Sequence, residues 1–437
     1  MKMIKRKYLS MILAVCLSVS VLVGCGNTDV QNAGGNEVAQ ESQAVQDDES
    51  EAESSDVTAE GEDEEAATTD DHSDANDEAQ AETDTSDESI AESTEPGFLT
   101  AKQIADEMVI GWNLGNTLDA HSGGEGTIHN DGLRTETCWG NPKTSQEIID
   151  YVKSNGFNVI RVPVTWYNHM DPNTLEIDPE WMARVHEVVD YALDDNTYVI
   201  LNVHHDTGVD GWLKASDNNL DWKKEVLTAI WEQVATSFCD YSDHLLFEGF
   251  NEILNDSNEW SNPDFDSLNI VNDLNQIFVD TVRATGGDNQ IRTLVVNTYC
   301  AGSADKMIKN FKLPTDSANG ALMVEVHSYT PYYFTAPEHP TEKTWDEGSV
   351  QQTIRSVATT FHAQGVPVII GEFGAVDKDN TQTRVDWVNF FVTTAKDLKV
   401  KCIWWDNGIT KEFGIIDRNN LTQSQPEICK ALIEASK

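Results

Sequence analysis

Eight short apolar runs rich in β-branched residues punctuate the later part of the chain: MVIGWNLGN, FNVIRVPVTW, YVILNVHH, LLFEGFNE, RTLVVNTY, LMVEVHSY, VPVIIGEFG and VKCIWWDNG. Between them lie stretches with apolar residues at helical period, among them SQEIIDYVKSNG, PEWMARVHEVVDYALDDN, WKKEVLTAIWEQVATSFCDY, SLNIVNDLNQIFVDTVRATGG, SVQQTIRSVATTFHAQG and TRVDWVNFFVTTAKDL. Several of these end in glycine or asparagine, as helix stops do. Strands that are almost continuously apolar are covered on both faces. Strict alternation of strand and helix therefore predicts a parallel sheet wrapped by helices, and eight such units predict a closed (β/α)8 barrel of the α/β class. The pattern occupies residues 97–437, roughly 340 residues and a normal size for one such barrel.

The first 96 residues lack that pattern. Lys2, Lys5, Arg6 and Lys7 precede an apolar run that ends at Leu22-Val23-Gly24-Cys25, which reads as an export signal over residues 1–24. The tetrad resembles a bacterial lipoprotein box, with cleavage leaving a lipid on Cys25; an ordinary signal peptide or an uncleaved anchor is the other reading. Residues 25–96 are dominated by Asp, Glu, Ser, Thr, Ala and Gln, with no Lys or Arg from Asn27 onward and almost no large apolar residue, a composition that cannot bury enough surface to offset chain entropy. We expect a disordered acidic linker with a flexible-coil reach of roughly 45–50 Å. It would tether the domain at the outside of a bacterial membrane.

Charge narrows the partners. The formal net charge is −46, and the linker alone holds 25 acidic residues, about half of that total. The domain is still acidic without it, which argues against nucleic acid or anionic glycans and favours a neutral substrate. Cys138, Cys239, Cys300, Cys402 and Cys429 are an odd set without a CxxC, so no zinc ribbon or disulfide framework is indicated.

The polar exceptions within the apolar runs carry the chemistry. Asn113, Arg161, His204, His205, Asn251, Glu252, Asn297, His327, Tyr329, Glu372 and Trp405 fall toward the C-terminal ends of the predicted strands, and in a barrel those ends share one face, where active sites are built. Glu252 after the fourth strand and Glu372 after the seventh fit the two carboxylates of glycoside hydrolysis, one protonating the leaving oxygen and one attacking the anomeric carbon. Arg161 interrupts an apolar strand and must face an anion; Glu372 is the expected partner, which it would keep ionised as nucleophile. Tyr329 is expected to donate to the same carboxylate, and Glu252 next to it would hold its proton as a general acid. Glu248 in FEGFNEIL is expected to serve buried polar groups at the mouth or an internal salt bridge.

These residues resemble glycoside hydrolase family 5. Asn251-Glu252 matches the family's acid/base motif, Glu372 in GEFG the nucleophile, and IRVPV, VHH, HSY and WWDNG the supporting ring of Arg161, His204 or His205, His327, Tyr329 and Trp405. GWNLGNTLDA, ETCWGNP and WWDNG look like subfamily 4, which implies an endo-β-1,4-glucanase or xyloglucanase, with Asn251 on the sugar 2-hydroxyl and with Asn113, Asn407, Trp139 and Trp345 as further supporting or substrate-binding residues. Ile253 departs from the proline common after the acid/base. No cofactor or metal is implied, and a monomer acting on a β-glucan is expected, touching membrane only through its lipid. A β-mannanase, a mixed-linkage or β-1,3-glucanase, and a non-catalytic glycan-binding lipoprotein are the alternatives. His204-His205-Asp206 as a metal site is disfavoured, because neighbours on a strand face opposite ways. Trp139, Trp166, Trp212, Trp260, Tyr332, Tyr333 and Trp345 are candidate sugar-stacking aromatics.

Overall fold

A computed structural model describes residues 97–122 and 132–437; the expected signal at 1–24, Cys25 and the acidic segment 25–96 lie outside them. The eight expected strands form, in order, a closed parallel barrel: β1 Gly111–Asn113, β2 Val159–Val162, β3 Tyr198–Asn202, β4 Leu245–Glu248, β5 Leu294–Gly302, β6 Leu322–His327, β7 Val368–Phe373 and β8 Lys401–Trp404. Before the barrel comes α1 (Ala101–Glu107); between its strands lie α2 (Gln146–Ser154), α3 (Pro179–Ala192), α4 (Leu220–Ser237), α5 (Phe265–Ala284), α6 (Asp305–Asn310), α7 (Tyr332–Thr335), α8 (Glu347–His362) and α9 (Thr381–Asp397). A small hairpin, β9 Ile416–Asp417 with β10 Thr422–Gln423, and the helix α10 (Pro426–Ser436) finish the chain.

The two-residue period of a strand sorts its side chains into two cores. Ile160 and Val162, Val199 and Leu201, Phe247, Val296, Val324 and Val326 point outward and pack beneath the helices. Val159, Ile200, Leu246, Val295, Met323, Ile369 and Ile403 point inward and meet Ala101, Ile104 and Ala105 of α1, which closes that end of the barrel. Each fully buried aliphatic chain there contributes about 1.5–3 kcal/mol. A capping box fixes α1: Thr100 accepts from the Gln103 amide, and the Gln103 side chain accepts from the Thr100 amide. One step further along β2 to β6 the inward positions turn polar, which places a polar layer directly above the apolar plug. The five cysteines of the described domain are all unbridged.

Candidate active site

Two residues beyond Val159, Ile200, Leu246, Val295 and Met323 stand Arg161, Asn202, Glu248, Asn297 and Glu325, all fully buried inside the barrel. Arg161 is their hub. Its Nε and Nη2 donate to the two oxygens of Glu248, each at 2.7 Å, and Nη1 donates to Glu372 at 2.7 Å. Nη1 also donates to Asn113 (3.0 Å), Nη2 to Asn251 (2.9 Å), and Nε lies 3.5 Å from Glu325. The expected Arg161–Glu372 pair is therefore present, but the fork is spent on Glu248, the geometry in which guanidinium and carboxylate pair best. Burial opposes the Arg161 charge, yet Glu248, Glu325 and Glu372 outweigh it and hold the guanidinium well above its usual range. Asn113 gives its amide to the carbonyls of Gly371 and Trp404, so it supports Arg161 and has no group left for a substrate.

Above this layer sit Glu252, His327, Tyr329 and Glu372. An oxygen of Glu252, an oxygen of Glu372 and a ring nitrogen of His327 all lie within 4.8 Å of one another. Tyr329 donates to Glu372 Oε2 at 2.9 Å and Arg161 donates to Oε1, so both Glu372 oxygens accept. His327 Nδ1 lies 2.7 Å from Glu252 and its Nε2 lies 3.2 Å from Glu325. Regular alternation from inward Ile369 would turn Glu372 outward. The ladder between β6 and β7 slips instead, pairing His327 with Glu372, and an irregularity of this kind re-aims a side chain. Burial raises the Glu252 carboxyl and the Glu372 charge adds to that, against the pull of His327. Burial likewise opposes a charged His327, but Glu372, Glu252 and Glu325 push it up to about 10. Burial lifts Glu248 to about 8 despite Arg161, whereas Arg161 and His327 overcome burial at Glu325 and hold it near about 2.

The next wall is imidazole and indole. His204 Nδ1 lies 3.1 Å from the Asn202 amide nitrogen, which donates to it and leaves Nε2–H as the free donor. Burial, with His205, Arg161 and His327 nearby, keeps this ring neutral, far below its usual range. Trp405 lies nearly parallel to it at 5.6 Å. His205 meets His204 at 4.6 Å, and Trp139 meets both His205 and His121 at 5.2 Å. The expectation that the two histidines diverge fails because β3 ends at Asn202, before either of them. Asp206 stays apart from them, holding the Trp166 and Tyr167 amides and the Trp212 indole. It is Asp119 that comes within 4.8 Å of both rings, but its oxygens already accept from the Asn116 and Thr117 amides. Asp119 is thus already engaged by the backbone, while His327 bridges Glu252 and Glu325, and Glu372 accepts from Arg161 and Tyr329.

Several sequence candidates have their polar ends or ring faces engaged by neighbouring residues. Asn407 donates to Glu412 at 2.6 Å and accepts from the Ile409 amide, so both ends of its side chain are spent within the loop after β8. Trp345 is half buried and packs on Phe390 of α9 at 5.4 Å. Trp166 is fully buried, donating to the Asn202 carbonyl. Tyr332 and Tyr333 reach Glu338 and Asp346 within their own loop. Trp212 packs with Tyr167 and the half-exposed Trp222. Sequence reading passed over Glu325, although an acidic residue inside the buried run LMVEVH is the same signal that picked out Arg161. Gly371 is its counterpart: a Cβ there would fall 1.5 Å from Glu325 Oε1.

Comparison with known proteins identifies the family. Residues 123–411 match the family model described as Cellulase (glycosyl hydrolase family 5). The chain is 41% identical to Endoglucanase A of Ruminococcus albus over 362 residues, covering 80% of this chain and 96% of that one. Among solved structures, it is 41% identical to the GH5-4 broad specificity endoglucanase of Ruminococcus champanellensis with bound cellotriose, with a TM-score of 0.72 over 77% of this chain and 98% of that one. A xyloglucan-specific endo-β-1,4-glucanase from a metagenomic library, in complex with cellotriose, shares 39% identity at a TM-score of 0.71, over 76% of this chain and 98% of that one.

Proposed function

The chain belongs to glycosyl hydrolase family 5, and on that premise we propose that it is a retaining endo-β-1,4-glucanase in which Glu372 is the nucleophile and Glu252 the acid/base. The observation that carries the reading is the pair of carboxylates with oxygens within 4.8 Å of each other: double displacement uses carboxyl groups about 5–5.5 Å apart, while inversion needs roughly 6.5–9.5 Å to seat a water between them.

In the first step a Glu372 oxygen attacks the anomeric carbon as the glycosidic bond breaks, and Glu252 gives its proton to the departing glucan oxygen. In the second, Glu252 takes a proton from water, the resulting hydroxide attacks the same carbon, and Glu372 leaves. Arg161 and Tyr329 hold the two Glu372 oxygens, which aims the nucleophile and offsets its charge before attack. Arg161 also fixes Asn251 Oδ1, so the amide nitrogen is turned away from it and is available to a sugar 2-hydroxyl. His204 offers Nε2–H at the same level, and the Trp405 and Trp139 faces suit glucosyl rings. The specificity of the similar enzymes supports a β-1,4-glucan backbone, with xyloglucan or mixed-linkage glucan as substrates of the same cleft. Trapping tests the mechanism: a 2-deoxy-2-fluoro cellobioside should label Glu372, and a label on any other residue would overturn the assignment.

We further infer that the enzyme acts outside the cell from a lipid on Cys25; the support is the sequence of the first 96 residues alone. Palmitate labelling that persists in Cys25→Ala would overturn it.

A further inference from the structure

The mechanism above gives Glu325 no part, yet it lies fully buried beneath the reacting carboxylates. Both nitrogens of His327 face carboxylates, Nδ1 toward Glu252 at 2.7 Å and Nε2 toward Glu325 at 3.2 Å. An ionised carboxylate only accepts, so Nε2 facing Glu325 carries a proton, and the ring is charged when Nδ1 donates to Glu252 as well. Asn297 also donates to Glu325 at 3.1 Å and Arg161 Nε stands 3.5 Å away, and the neighbouring Glu248 carboxyl, which holds its proton more tightly, shares a hydrogen bond with it.

The orientation of that charge decides what Glu252 can do. A neutral His327 with a bare Nδ1 would draw the Glu252 proton into their hydrogen bond, aimed away from the leaving oxygen. A charged His327 donates to one Glu252 oxygen and leaves the other to carry the proton that is transferred. We propose that Glu325 is a positioning residue that keeps His327 charged and turned so that Nδ1–H donates to Glu252, setting both the direction and the strength of the general acid. This rests on Glu252 being the acid/base.

Other groups around the ring do not replace it. Glu372 lies 3.6 Å from Nδ1, but its own oxygens are held by Arg161 and Tyr329 and its charge is consumed in the first step. His204 is neutral, and Arg161 is of like sign. Across β4, β6 and β7, Glu252, Glu325 and Glu372 are the acidic groups that act on the ring, and Glu325 alone among them keeps its charge throughout the cycle. Gly371 makes room for it by having no side chain.

The test is histidine NMR on the wild type and on Glu325→Gln, with kcat/KM profiles against pH. Gln keeps an oxygen for Nε2–H and removes the charge. His327 is expected to remain an imidazolium through pH 8 in the wild type and to lose its proton near neutrality in Glu325→Gln. The variant's alkaline limb on glucan should then move upward, because Glu252 beside a neutral ring holds its proton longer. kcat/KM at pH 7 should fall about 10- to 100-fold on glucan, and far less on a dinitrophenyl cellobioside, whose departure needs no proton. Glu325→Asp should restore the limb in part. A wild-type His327 that is neutral at pH 7, a His327 that stays charged in Glu325→Gln, or equal losses on both substrates with an unmoved limb would each overturn the proposal. Failure of the underlying reading is distinct: Glu252→Ala would then not be rescued by azide, whatever the titration of His327.

Discussion

Replacing Arg161 by Met tests how much the buried polar layer depends on one cation. The substitution leaves a shorter, apolar, unbranched side chain and removes the Arg161 donors to Glu248, Glu372, Asn113 and Asn251, while Asn202 still donates to Glu248 and Tyr329 to Glu372. Breaking a buried pair by deleting one partner costs about 3–5 kcal/mol, because the remaining charge is stranded; for a large domain that is a fall in Tm of roughly 6–12 °C. Lys102→Met is the control. Lys102 and Asp106 are just as close, at 2.6 Å, but 69% and 55% of their side chains are exposed, so loss of that pair should cost less than about 0.5 kcal/mol. Scanning calorimetry from pH 5 to pH 8 separates the causes. Without Arg161 the carboxylates bind protons more tightly folded than unfolded, so the deficit should be largest at pH 8 and shrink toward pH 5. Similar losses in the two variants, or an Arg161→Met deficit that ignores pH, would refute the reasoning.

Other expectations follow from the same geometry. Glu372→Ala should abolish turnover on all substrates, with azide giving a product of inverted configuration, whereas Glu252→Ala should keep measurable kcat/KM on dinitrophenyl cellobioside while losing glucan hydrolysis by about 10²- to 10⁴-fold; equal losses would contradict the roles. Wild-type Tm should decline as pH rises from about 6.5 toward 10. Glu248 and His327, with folded values up to about 8 and about 10, bind protons more tightly folded than unfolded and lose stabilisation as pH rises, while Glu325, held near about 2, loses its share only as pH falls below about 4.5. A Tm that climbs from pH 6 to pH 9 would contradict this. Trp345→Ala should lower Tm by several degrees and reduce kcat/KM equally on long glucans and short cellobiosides, since the ring packs on Phe390; a loss confined to long substrates would make it a sugar-binding residue.

The barrel was legible because its signal is redundant: eight apolar runs, each followed by a helical period, leave few other folds open. The inner polar layer was legible only in part. Arg161 stands out because a cation in an apolar strand needs a reason, and Glu325 in LMVEVH carries the same mark. The geometry above the layer was not legible, since period-two reasoning stops where strands stop or slip. His204 and His205 lie past the end of β3, and Glu372 faces inward through a slip against β6. Asn407 and Trp345 were out of reach for a different reason: whether an amide or indole faces substrate depends on what else in its loop can occupy it, here Glu412 and Phe390.

The empty Cβ position of Gly371 has a bearing on how this sequence is free to drift. Glycine there is not required by the turn of the chain, and a methyl group would meet no sugar; it would meet the carboxylate of Glu325. Positions 325 and 371 are thus one character written in two places. A descendant that gains a side chain at 371 must shorten or lose the acid at 325 in the same lineage, whereas the acid can change with glycine still at 371. A random substitution library screened for folded protein should show position 371 as intolerant in the Glu325 background and permissive once residue 325 is small.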